Sequence, residues 1–504
     1  MIWLLACDWG WWLGEPPGIP VDEPDSGVEP TLQCLPQIEL AEEHVLEGDI
    51  VELVASCATG AEATFSVEGA SGSWEGETWA WTPGLDEAGT RELVLWAELE
   101  AGSEQTRTTV HVVDAIEDPD NVTVDPLTYL FEWGVPVVHI DPDGELYRDY
   151  HGATVWYRGA ELRGEAKIRG ATSSNYPKPG YALRFDDEQD FSADGLGDKD
   201  HLNLATPFDD NSYVRQKLVY DTWLELGDDR LGVESFFAVV YVEGAYKGLF
   251  TAMERVDDEL ADEAGYDRDG NLYKGVDWDA NFFPWGYDGE PKETLHDGYE
   301  KKEGEPAEGE EGAFDDLDAF VGWVLSALSD ELVEDAESWM ELEEFVDWYV
   351  LTRAVAGDDS IGKNMYLYRD PELCCFKYVP WDFNHSYGQN WYTGRVAAET
   401  WDDYGEDNGL FRKLASTGLF EERMAEVVEG PFSAEAQLAK VDAYYAVMER
   451  SAQRDWAVWA EAYRTYEGWV DKRDDDWTSF EEEQEYLREW IEGRVEVLKT
   501  GSDR

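Results

Sequence analysis

Positive charge is scarce in this chain. Its 504 residues include 38 Lys and Arg but 113 Asp and Glu, which gives a formal net charge of −75 at pH 7. Such a surface repels nucleic acid and anionic membranes, and it attracts cations or basic partners. Most of these carboxylates are expected to be solvated and to keep the protein soluble, so the charge by itself does not predict calcium binding.

Long apolar runs and paired cysteine motifs are also missing. No run of 18 or more apolar residues follows the first few residues, so no membrane-spanning helix is predicted. There are five cysteines and no Cys-x-x-Cys pair, which argues against a structural zinc site. Cys34 and Cys57 flank a predicted strand, and their spacing would allow one disulfide in an exported domain.

Apolar and aromatic residues are nevertheless plentiful. Hydrophobic residues make up 43% of the chain and aromatic residues 14%, with 24 Trp. This composition predicts folded cores rather than a disordered chain. Because the chain is too long for one ordinary core, two or more domains are expected.

The first residues resemble a bacterial lipoprotein signal. The run "MIWLLAC" ends in Leu-Leu-Ala-Cys, the pattern in which the cysteine, here Cys7, is lipidated after cleavage. The usual preceding basic residues are missing, so a chance apolar N-terminus is the alternative. The resemblance implies an exported protein of the cell envelope or surface. Residues 1–7 would be the signal remnant, and residues 8–36, rich in Gly, Pro, Asp and Glu, a flexible linker.

Residues 37–114 are predicted to form a small all-β sandwich. Segments such as "DIVELVASC" and "TRTTVHVVD" alternate apolar and polar residues, and Gly- and Pro-containing turns separate them. The segment "WTPGLDEAGTRELVLWAE" resembles the late strands of bacterial immunoglobulin-like modules. This resemblance implies a spacer or adhesion module. Residues 115–126 are predicted to be a linker.

Residues 127–504 are predicted to form one α+β domain with a mixed β-sheet lobe and a helical lobe. "GATVWYRG" and "LRGEAKIRG" read as a hairpin, and "DNSYVRQKLVYDTWLELG" carries apolar residues at helical spacing. The Gly-, Glu- and Asp-rich residues 270–312 are predicted to be a mobile insertion. Helices are predicted for residues 313–356 and for most of the chain after "PWDFNHSYG".

Two polar stretches beside predicted strands suggest phosphate chemistry. In "GDDSIGKNMYLYRD", Asp359 and Asn364 lie five residues apart, and in "PWDFNHSYG" an isolated Asp382 follows an apolar run. Protein kinases use a catalytic Asp and a metal-binding Asn at this spacing, and a metal-binding Asp after a later strand. Phosphate and Mg²⁺ need hard oxygen ligands on rigid elements. The sequence therefore predicts a metal–phosphate site at these residues.

Five blocks, in this order, resemble the spore coat protein H (CotH) kinase-like family over roughly residues 130–500. They are "KIRGATSSNYPKPGYALRF", "LNLATPFDDNSYVRQKLVYD", "YVEGAYKGLFTAMERVD", "GDDSIGKNMYLYRD" and "FKYVPWDFNHSYG". The resemblance implies an atypical secreted kinase that transfers the γ-phosphoryl group of ATP to Ser or Thr with Mg²⁺ or Mn²⁺. By motif position, it implies Asp359 as the catalytic-loop aspartate and Asp382 as a metal ligand, with Asn364 as a second metal or loop ligand.

The same resemblance points to several bases and one acid around the nucleotide. Phosphate-contacting bases are expected among Arg169, Lys178 and Arg184. Either Lys178 or Arg184 would replace the strand lysine of ordinary kinases, and this choice stays open. Arg215, together with Lys217, is a further candidate on the next helix, and Glu254 would help to position the adenine or a metal. For each arginine, the alternative is an ion pair with a nearby carboxylate.

This chain departs from the family pattern at three positions. Ala171 replaces an Asn, Pro179 replaces a Lys, and Asn384 replaces the common second Asp after Trp-Asp. An Asn can still ligate Mg²⁺, although more weakly than a carboxylate, so Asn384 is kept as a metal candidate. His385 is interpreted as a polar loop residue, and Asp358 as a turn former.

Two other functions remain as alternatives to the kinase. The domain could be a catalytically inactive kinase-like scaffold or adhesion protein, or an acidic protein that stores calcium at many weak sites. For the kinase, the expected partner is a protein with Ser or Thr acceptors. The acidic surface favours a basic acceptor, as an electrostatic expectation.

Overall fold

The structure is a computed structural model. It describes residues 34, 36–40, 44–46, 50–60, 63–83, 89–99, 102–113, 124–186, 191–193, 196–370, 375–402, 404–470, 472–473 and 477–501. The predicted lipid anchor at Cys7, the signal remnant, and most of the two predicted linkers lie outside these described residues.

The N-terminal part consists of strands. They are β1 Pro36–Leu40, β2 His44–Leu46, β3 Val51–Cys57, β4 Thr64–Glu68, β5 Ser73–Glu75, β6 Thr78–Trp81, β7 Gly89–Leu99 and β8 Gly102–Val113. They form two four-stranded sheets with the orders β1-β3-β6-β5 and β2-β8-β7-β4. Because successive strand residues face opposite sides, alternate residues of β3 are buried. Leu53 and Trp81 from the first sheet share one apolar core with Leu93 and Val110 from the second.

A disulfide joins two of the cysteines in this part. Cys34 and Cys57 are bonded, with their Cα atoms 5.0 Å apart. The bond ties the segment before β1 to the end of β3. The immunoglobulin-like character of these sheets stays a prediction.

The next part of the chain forms a closed ring of strands. Its elements are β9 Phe131–Glu132, β10 Val135–Pro142, β11 His151–Tyr157, β12 Ala160–Arg169, β13 Gly180–Phe185, β14 Phe191–Ala193, β15 Gly197–Lys199, β16 His201–Ala205, α1 Arg215–Leu224, β17 Ser235–Val242 and β18 Ala245–Met253. The sheet order is β11-β12-β13-β16-β18-β17-β10-β9, and β11 also pairs with β10. The ring is antiparallel except between β10 and β17. One core cluster includes Val155, Leu183, Leu204, Val240 and Phe250 from five strands of this ring.

A second sheet follows, and it includes the region predicted to be a mobile insertion. The elements are α2 Asp258–Glu263, β19 Asn271–Gly275, β20 Tyr299–Glu303, α3 Asp315–Ser326, α4 Ser329–Glu334, α5 Leu342–Val355, β21 Met365–Arg369 and β22 Phe376–Pro380. The sheet order is β20-β19-β21-β22. The insertion prediction for residues 270–312 was therefore wrong for β19 and β20. Leu272, Tyr273 and Tyr299 are buried. The two strands are short, and the acidic, glycine-rich sequence around them obscures their apolar residues.

The remaining chain is helical. Its helices are α6 Gly409–Ala415, α7 Leu419–Glu429, α8 Ala434–Thr465, α9 Glu467–Val470 and α10 Phe480–Gly501. Ser433 caps α8, since its hydroxyl accepts a hydrogen bond from the Ala436 amide. A large core packs Trp223 of α1 and Trp348 of α5 with residues from the second sheet and the late helices. Within the part of the chain that the structure describes, no helix is long and apolar enough to span a bilayer. The mixed α+β fold class is confirmed by these elements.

Candidate functional site

One cavity collects most of the polar residues that the sequence singled out. Its volume is about 430 Å³. Its walls come from the loop between β12 and β13, the segment before α1, strand β19, the turn after α5, and the turn after β22. Asp359, Asn364, Asp382, Asn384 and Arg169 all line it. Residues far apart in sequence are thus brought to one place, and their chemical roles stay predictions.

The turn after α5 presents Asp359 and Asn364 together. Helix α5 ends with Ala356 in the left-handed region at φ +53°, and a short 3-10 turn, Asp358–Ser360, follows. The Asn364 side-chain amide donates to Asp359 Oδ2 at 2.9 Å and to the Asp359 carbonyl at 3.1 Å. Lys363 Nζ lies 2.9 Å from Asp359 Oδ1. The five-residue spacing read from the sequence therefore corresponds to a direct contact.

His385 lies between two acids of the cavity. Its Nε2 is 3.2 Å from Asp209 Oδ2, and its Nδ1 is 3.7 Å from Asp359 Oδ2, the second distance being longer than a hydrogen bond. Burial would lower the pKa of His385, but the contacts with Asp209 and Asp359 outweigh it and raise the pKa to about 10. The imidazole is therefore a cation at neutral pH, where the sequence suggested only a polar loop residue.

The surroundings of Asp359 favour its ionised form. Burial alone would raise its pKa, but the His385 cation and Lys363 lower the pKa below its ordinary value. Asp359 is therefore an unprotonated carboxylate at neutral pH. Such a group can accept a proton or a hydrogen bond from a substrate hydroxyl.

Asp382 occupies a sharp turn directly after β22. Its backbone has φ +60°, a conformation that non-glycine residues seldom adopt, and its amide hydrogen-bonds the buried Tyr220 hydroxyl at 3.1 Å. Asn364, on the same cavity, has φ +54°. Backbone strain of this kind concentrates at functional sites, because the surrounding structure must hold it in place.

The Asp382 carboxylate opens into the cavity without a partner. Among the described residues, no side chain forms an ion pair or hydrogen bond with it, and the residue is solvent-exposed. The surrounding protein still reduces its hydration, which raises its pKa, and the negative charges of Asp359 and Asp209 act in the same direction, against the cations His385 and Arg169. A carboxylate whose negative charge is only partly balanced by nearby cations is suited to binding a further cation in the cavity.

Asn384 is oriented by the acid that also contacts His385. Its amide nitrogen donates to Asp209 Oδ2 at 2.9 Å, an oxygen that also accepts a hydrogen bond from the Tyr176 hydroxyl at 3.0 Å. The other side-chain atom, Asn384 Oδ1, is buried and receives no hydrogen bond from the described residues. An oxygen without a donor is costly unless something else, such as a cation, contacts it.

Two bases face the cavity from different strands. Arg169 ends β12, and Lys274 lies on β19. Within the described residues, neither has an ion-pair partner, although both contact the Trp381 ring, at 5.6 Å for Arg169 and 5.4 Å for Lys274. Burial lowers the pKa of Lys274 to about 8, although Asp382 opposes this shift. In a chain of net charge −75, two bases without a carboxylate partner favour an anionic ligand.

Lys178 and Arg184, the two candidates to replace the strand lysine of ordinary kinases, both lie away from the cavity. Lys178 is 1% exposed, and its Nζ is 2.6 Å from Asp455 Oδ1. Arg184 is exposed on β13, where it pairs with Glu165 and lies over the Tyr150 ring. Neither side chain is brought to the other predicted site residues.

The remaining predicted residues also have other partners. Arg215 is fully buried between Asp210 and Glu483, which corresponds to the ion-pair alternative. Lys217 contacts Asp221 on the same helix. Glu254 lies 2.9 Å from Lys199 beside a different cavity, of about 230 Å³, and burial raises the pKa of Glu254 to about 7. These three residues are not brought to the cavity that holds Asp382.

The sequence interpretation missed Lys274, Asp209 and the charge of His385. Lys274 lies in the stretch taken for an insertion, and the segment "NLYKG" shows no clear alternation that would have revealed the strand. Asp209 was part of the "ATPFDDNSYVRQKL" block, but nothing there separates it from its neighbour Asp210. The state of His385 depends on acids more than 20 residues away along the chain, so no local pattern reveals it.

A second group of potential metal ligands lies elsewhere. In the described part of the chain, Asp200, His201 and Asp257 bring ligand atoms within 4.8 Å of one another. His201 Nδ1 contacts Asp200, and its Nε2 lies 3.0 Å from Arg255 Nη1. Because both ring nitrogens already have partners, we interpret this group as a cluster of ion pairs and hydrogen bonds.

The fold thus combines mixed sheets and late helices around a cavity with facing acids, amides and bases. The family model described as "CotH kinase protein" matches residues 166–498. Because this match covers more than half of the chain, the protein belongs to the CotH family.

The chain is similar to a curated relative and to a solved structure. The chain is 26% identical over 232 residues to inner spore coat protein H of Bacillus subtilis (strain 168), which covers 46% of this chain and 60% of that protein. A chimeric titin Z1Z2 structure, functionalized with a KLER exogenous peptide from decorin, matches 30% of this chain and 88% of its own at 16% identity. Its TM-score is 0.14, so this likeness supports no conclusion about the fold.

Proposed function

We propose that this protein is an atypical protein kinase that transfers the γ-phosphoryl group of ATP to Ser or Thr of another protein. The observation that carries the proposal is that one cavity contains both cationic side chains and a carboxylate that are available to a ligand. Among the residues that the structure describes, Arg169 and Lys274 have no carboxylate ion-pair partner, and Asp382 has no cation ion-pair partner. A phosphate chain with its metal ion would satisfy all three. Family membership supports the same function.

The residues present fit a divalent metal. Within the described part of the chain, the Asp382 carboxylate accepts no side-chain hydrogen bond, and the buried Asn384 Oδ1 has no donor. The Asn364 amide nitrogen is used by Asp359, which leaves its oxygen for a ligand. Hard oxygen ligands of this kind suit Mg²⁺ or Mn²⁺. When bound, the ion would neutralise part of the negative charge on the phosphate oxygens.

Asp359 is assigned the proton-accepting role. The acceptor hydroxyl oxygen forms a bond to the γ-phosphorus, the bond from that phosphorus to the bridging oxygen breaks, and ADP leaves with the electron pair. The hydroxyl proton passes to the Asp359 carboxylate, which His385 and Lys363 hold in its ionised form. Arg169 and Lys274 would hold the phosphates by charge-assisted hydrogen bonds.

The acceptor and the location are proposed more coarsely. The net charge of −75 favours an acceptor with basic residues around its Ser or Thr. The relative in Bacillus subtilis is described as an inner spore coat protein, which supports a coat or surface location here. A lipid anchor at Cys7, and a spacer or adhesion role for an N-terminal immunoglobulin-like module, complete the proposal.

Nucleotide binding and phosphoryl transfer can be separated by two variants. With Mg²⁺ or Mn²⁺, ATP should raise the Tm of the full chain, and ³²P from γ-labelled ATP should pass to the protein itself or to a basic Ser-rich substrate. Asp382→Asn should reduce the metal-dependent Tm shift, because an amide oxygen ligates Mg²⁺ more weakly than a carboxylate. Asp359→Asn should keep that shift but lower the transfer rate by a factor on the order of 10² to 10⁴.

Asp358→Asn is the matched control, because Asp358 contacts the Tyr404 hydroxyl and not the cavity. It should transfer phosphate at the rate of the unchanged protein. Absence of any metal-dependent shift with ATP would favour the inactive scaffold. Transfer that is unaffected by both Asp359→Asn and Asp382→Asn would refute the residue assignments.

A further inference from the structure

The loop between β12 and β13, residues 170–179, forms one wall of the cavity and contacts the C-terminal helices. Gly170, Ala171, Thr172, Ser173 and Tyr176 all line the cavity from this loop. Ala171 and Thr172 are exposed to solvent, and the loop contains only a short 3-10 turn, Ser173–Asn175. A loop with so little internal hydrogen bonding needs contacts from elsewhere to keep one conformation.

Lys178 attaches this loop to helix α8. Its Nζ donates to Asp455 Oδ1 at 2.6 Å and to the Leu249 carbonyl at 2.6 Å, and it lies 4.7 Å from the centre of the Phe250 ring. Lys178 and Asp455 are 1% and 2% exposed. The ammonium group is therefore held from several directions, and Lys178 is not among the residues that line the cavity.

Asp455 organises more than the lysine. Its Oδ1 also accepts the Leu249 amide at 2.7 Å, and its Oδ2 accepts the Tyr213 hydroxyl at 2.8 Å. Gly248 makes this approach possible, because a Cβ there would lie 1.9 Å from Asp455 Oδ1 and its φ is +116°. One carboxylate thus connects α8, strand β18, the segment before α1, and the loop.

The loop has a second anchor close to the first. The Tyr176 ring packs edge-on against Tyr466 and Trp469, at centroid distances of 5.3 Å and 5.7 Å. The Lys178 carbonyl accepts a hydrogen bond from the Thr206 hydroxyl at 2.7 Å. Lys178 thus ties the loop to Asp455 in α8, and Tyr176 ties it to Tyr466 and Trp469 after α8. Thr206, which holds the Lys178 carbonyl, itself lines the cavity.

Burial of an ion pair brings little net stability, because desolvation of both charges cancels most of their attraction. What such a pair can supply is a defined position, because its charge-assisted hydrogen bonds are short and directional.

We propose that Asp455 is a positioning residue that acts through Lys178. Helix α8 holds residues 170–179 against the cavity and thereby sets the affinity for the nucleotide. Lys178 belongs to this brace and does not contact phosphate. The nucleotide part of this inference rests on the proposed kinase function, whereas the bracing of the loop does not.

The test uses the full chain and the paired substitution Lys178→Met with Asp455→Asn. Methionine has about the length of lysine, and asparagine keeps an acceptor for the Leu249 amide, so no charge is left buried alone. Without nucleotide, deuterium uptake of peptides within residues 170–177 should become faster, while uptake of β21 stays unchanged. A non-hydrolysable ATP analogue with Mg²⁺ should bind more weakly by a factor on the order of ten to a hundred.

A matched control lies one residue away on the same helix. Arg454 pairs with the buried Glu132 of β9, not with the loop. Glu132→Gln with Arg454→Met should lower the Tm comparably, yet leave loop uptake and analogue affinity unchanged. If the Lys178 and Asp455 pair does not fold, Lys178→Met alone should show the same faster uptake, because Asp455 then still accepts hydrogen bonds from the Leu249 amide and the Tyr213 hydroxyl.

The outcomes distinguish this inference from the proposed function. Loop uptake equal to that of the control pair would overturn the positioning role, whatever the nucleotide does. Faster loop uptake in a protein whose unchanged form binds no nucleotide would support the brace and contradict the kinase. Faster uptake with unchanged affinity would overturn the claim that the loop sets nucleotide binding.

Discussion

Replacement of Glu483 by glutamine should destabilise the folded protein strongly. Glu483, in the first turn of α10, is fully buried. Its Oε1 accepts hydrogen bonds from Arg215 at 2.5 Å and from Arg395 at 2.8 Å, and its Oε2 accepts the Thr478 hydroxyl at 2.6 Å. The carboxylate therefore joins the last helix to α1 through Arg215, and to the segment after the turn that carries Asp382 through Arg395.

The size of the effect follows from the pKa of Glu483. Burial would raise that pKa, but Arg215 and Arg395 outweigh burial and lower it from 4.5 to about 2. A fall of this size corresponds to about 3 kcal/mol of folding free energy at neutral pH. Because the substitution also leaves Arg215 with one acid fewer, a loss of about 3–5 kcal/mol is expected.

The pH dependence provides a second, independent check. As pH falls below 4.5, the unfolded chain takes up the Glu483 proton before the folded chain does, because the folded pKa is the lower one. The stability advantage over Glu483→Gln should therefore be complete near pH 7 and should shrink as pH falls from about 4.5 toward 2.

Urea unfolding at several pH values measures both quantities. Glu481→Gln is the control, since Glu481 is an exposed acid in the same first turn, and it should change stability by less than about 0.5 kcal/mol. A loss below about 1 kcal/mol for Glu483→Gln at pH 7, or an advantage that grows toward acid pH, would refute this account of the buried network.

Two further predictions concern the cavity and the disulfide. Lys274→Met should weaken binding of ATP with Mg²⁺ by about tenfold or more. Arg184→Ala is the control and should leave binding unchanged, because Arg184 is exposed outside the cavity. Both affinities can be measured by calorimetric titration, and equal effects of the two variants would contradict the assignment of Lys274. Cys34→Ala with Cys57→Ala should destabilise the N-terminal sheets by about 3 kcal/mol, because the bond closes a loop with a sequence separation of 23. In calorimetric scans, the N-terminal sheets should unfold at a lower temperature, while ATP binding measured by titration should be unchanged. A scan identical to that of the unchanged protein would contradict this estimate.

The position of the acids along the chain was largely predictable. Asn364 and Asp382 lie within two residues of short strands and Asp359 lies six residues before one, and these strands are recognisable as short apolar runs. The five sequence blocks also identified the family that the match over residues 166–498 then showed. Local pattern suffices here because each signal lies within about 20 residues.

The identity of the cavity bases was not predictable in the same way. Lys178 pairs with Asp455, 277 residues later, and Arg215 pairs with Glu483, 268 residues later. Nothing in the local sequence distinguishes these bases from Lys274, which does face the cavity. Successive strand residues also point to opposite faces, so a basic residue in a strand has a known position but an unknown side.

The sequence by itself thus determined most element types, although not β19 and β20, together with the family and the loop that carries Asp359 and Asn364. Only the tertiary structure decided which charged side chains meet. It placed His385 between Asp209 and Asp359, and it buried Lys178 against helix α8. Charge pairing depends on distances between residues that are remote along the chain, and those distances exist only once the sheets have closed and the helices have packed.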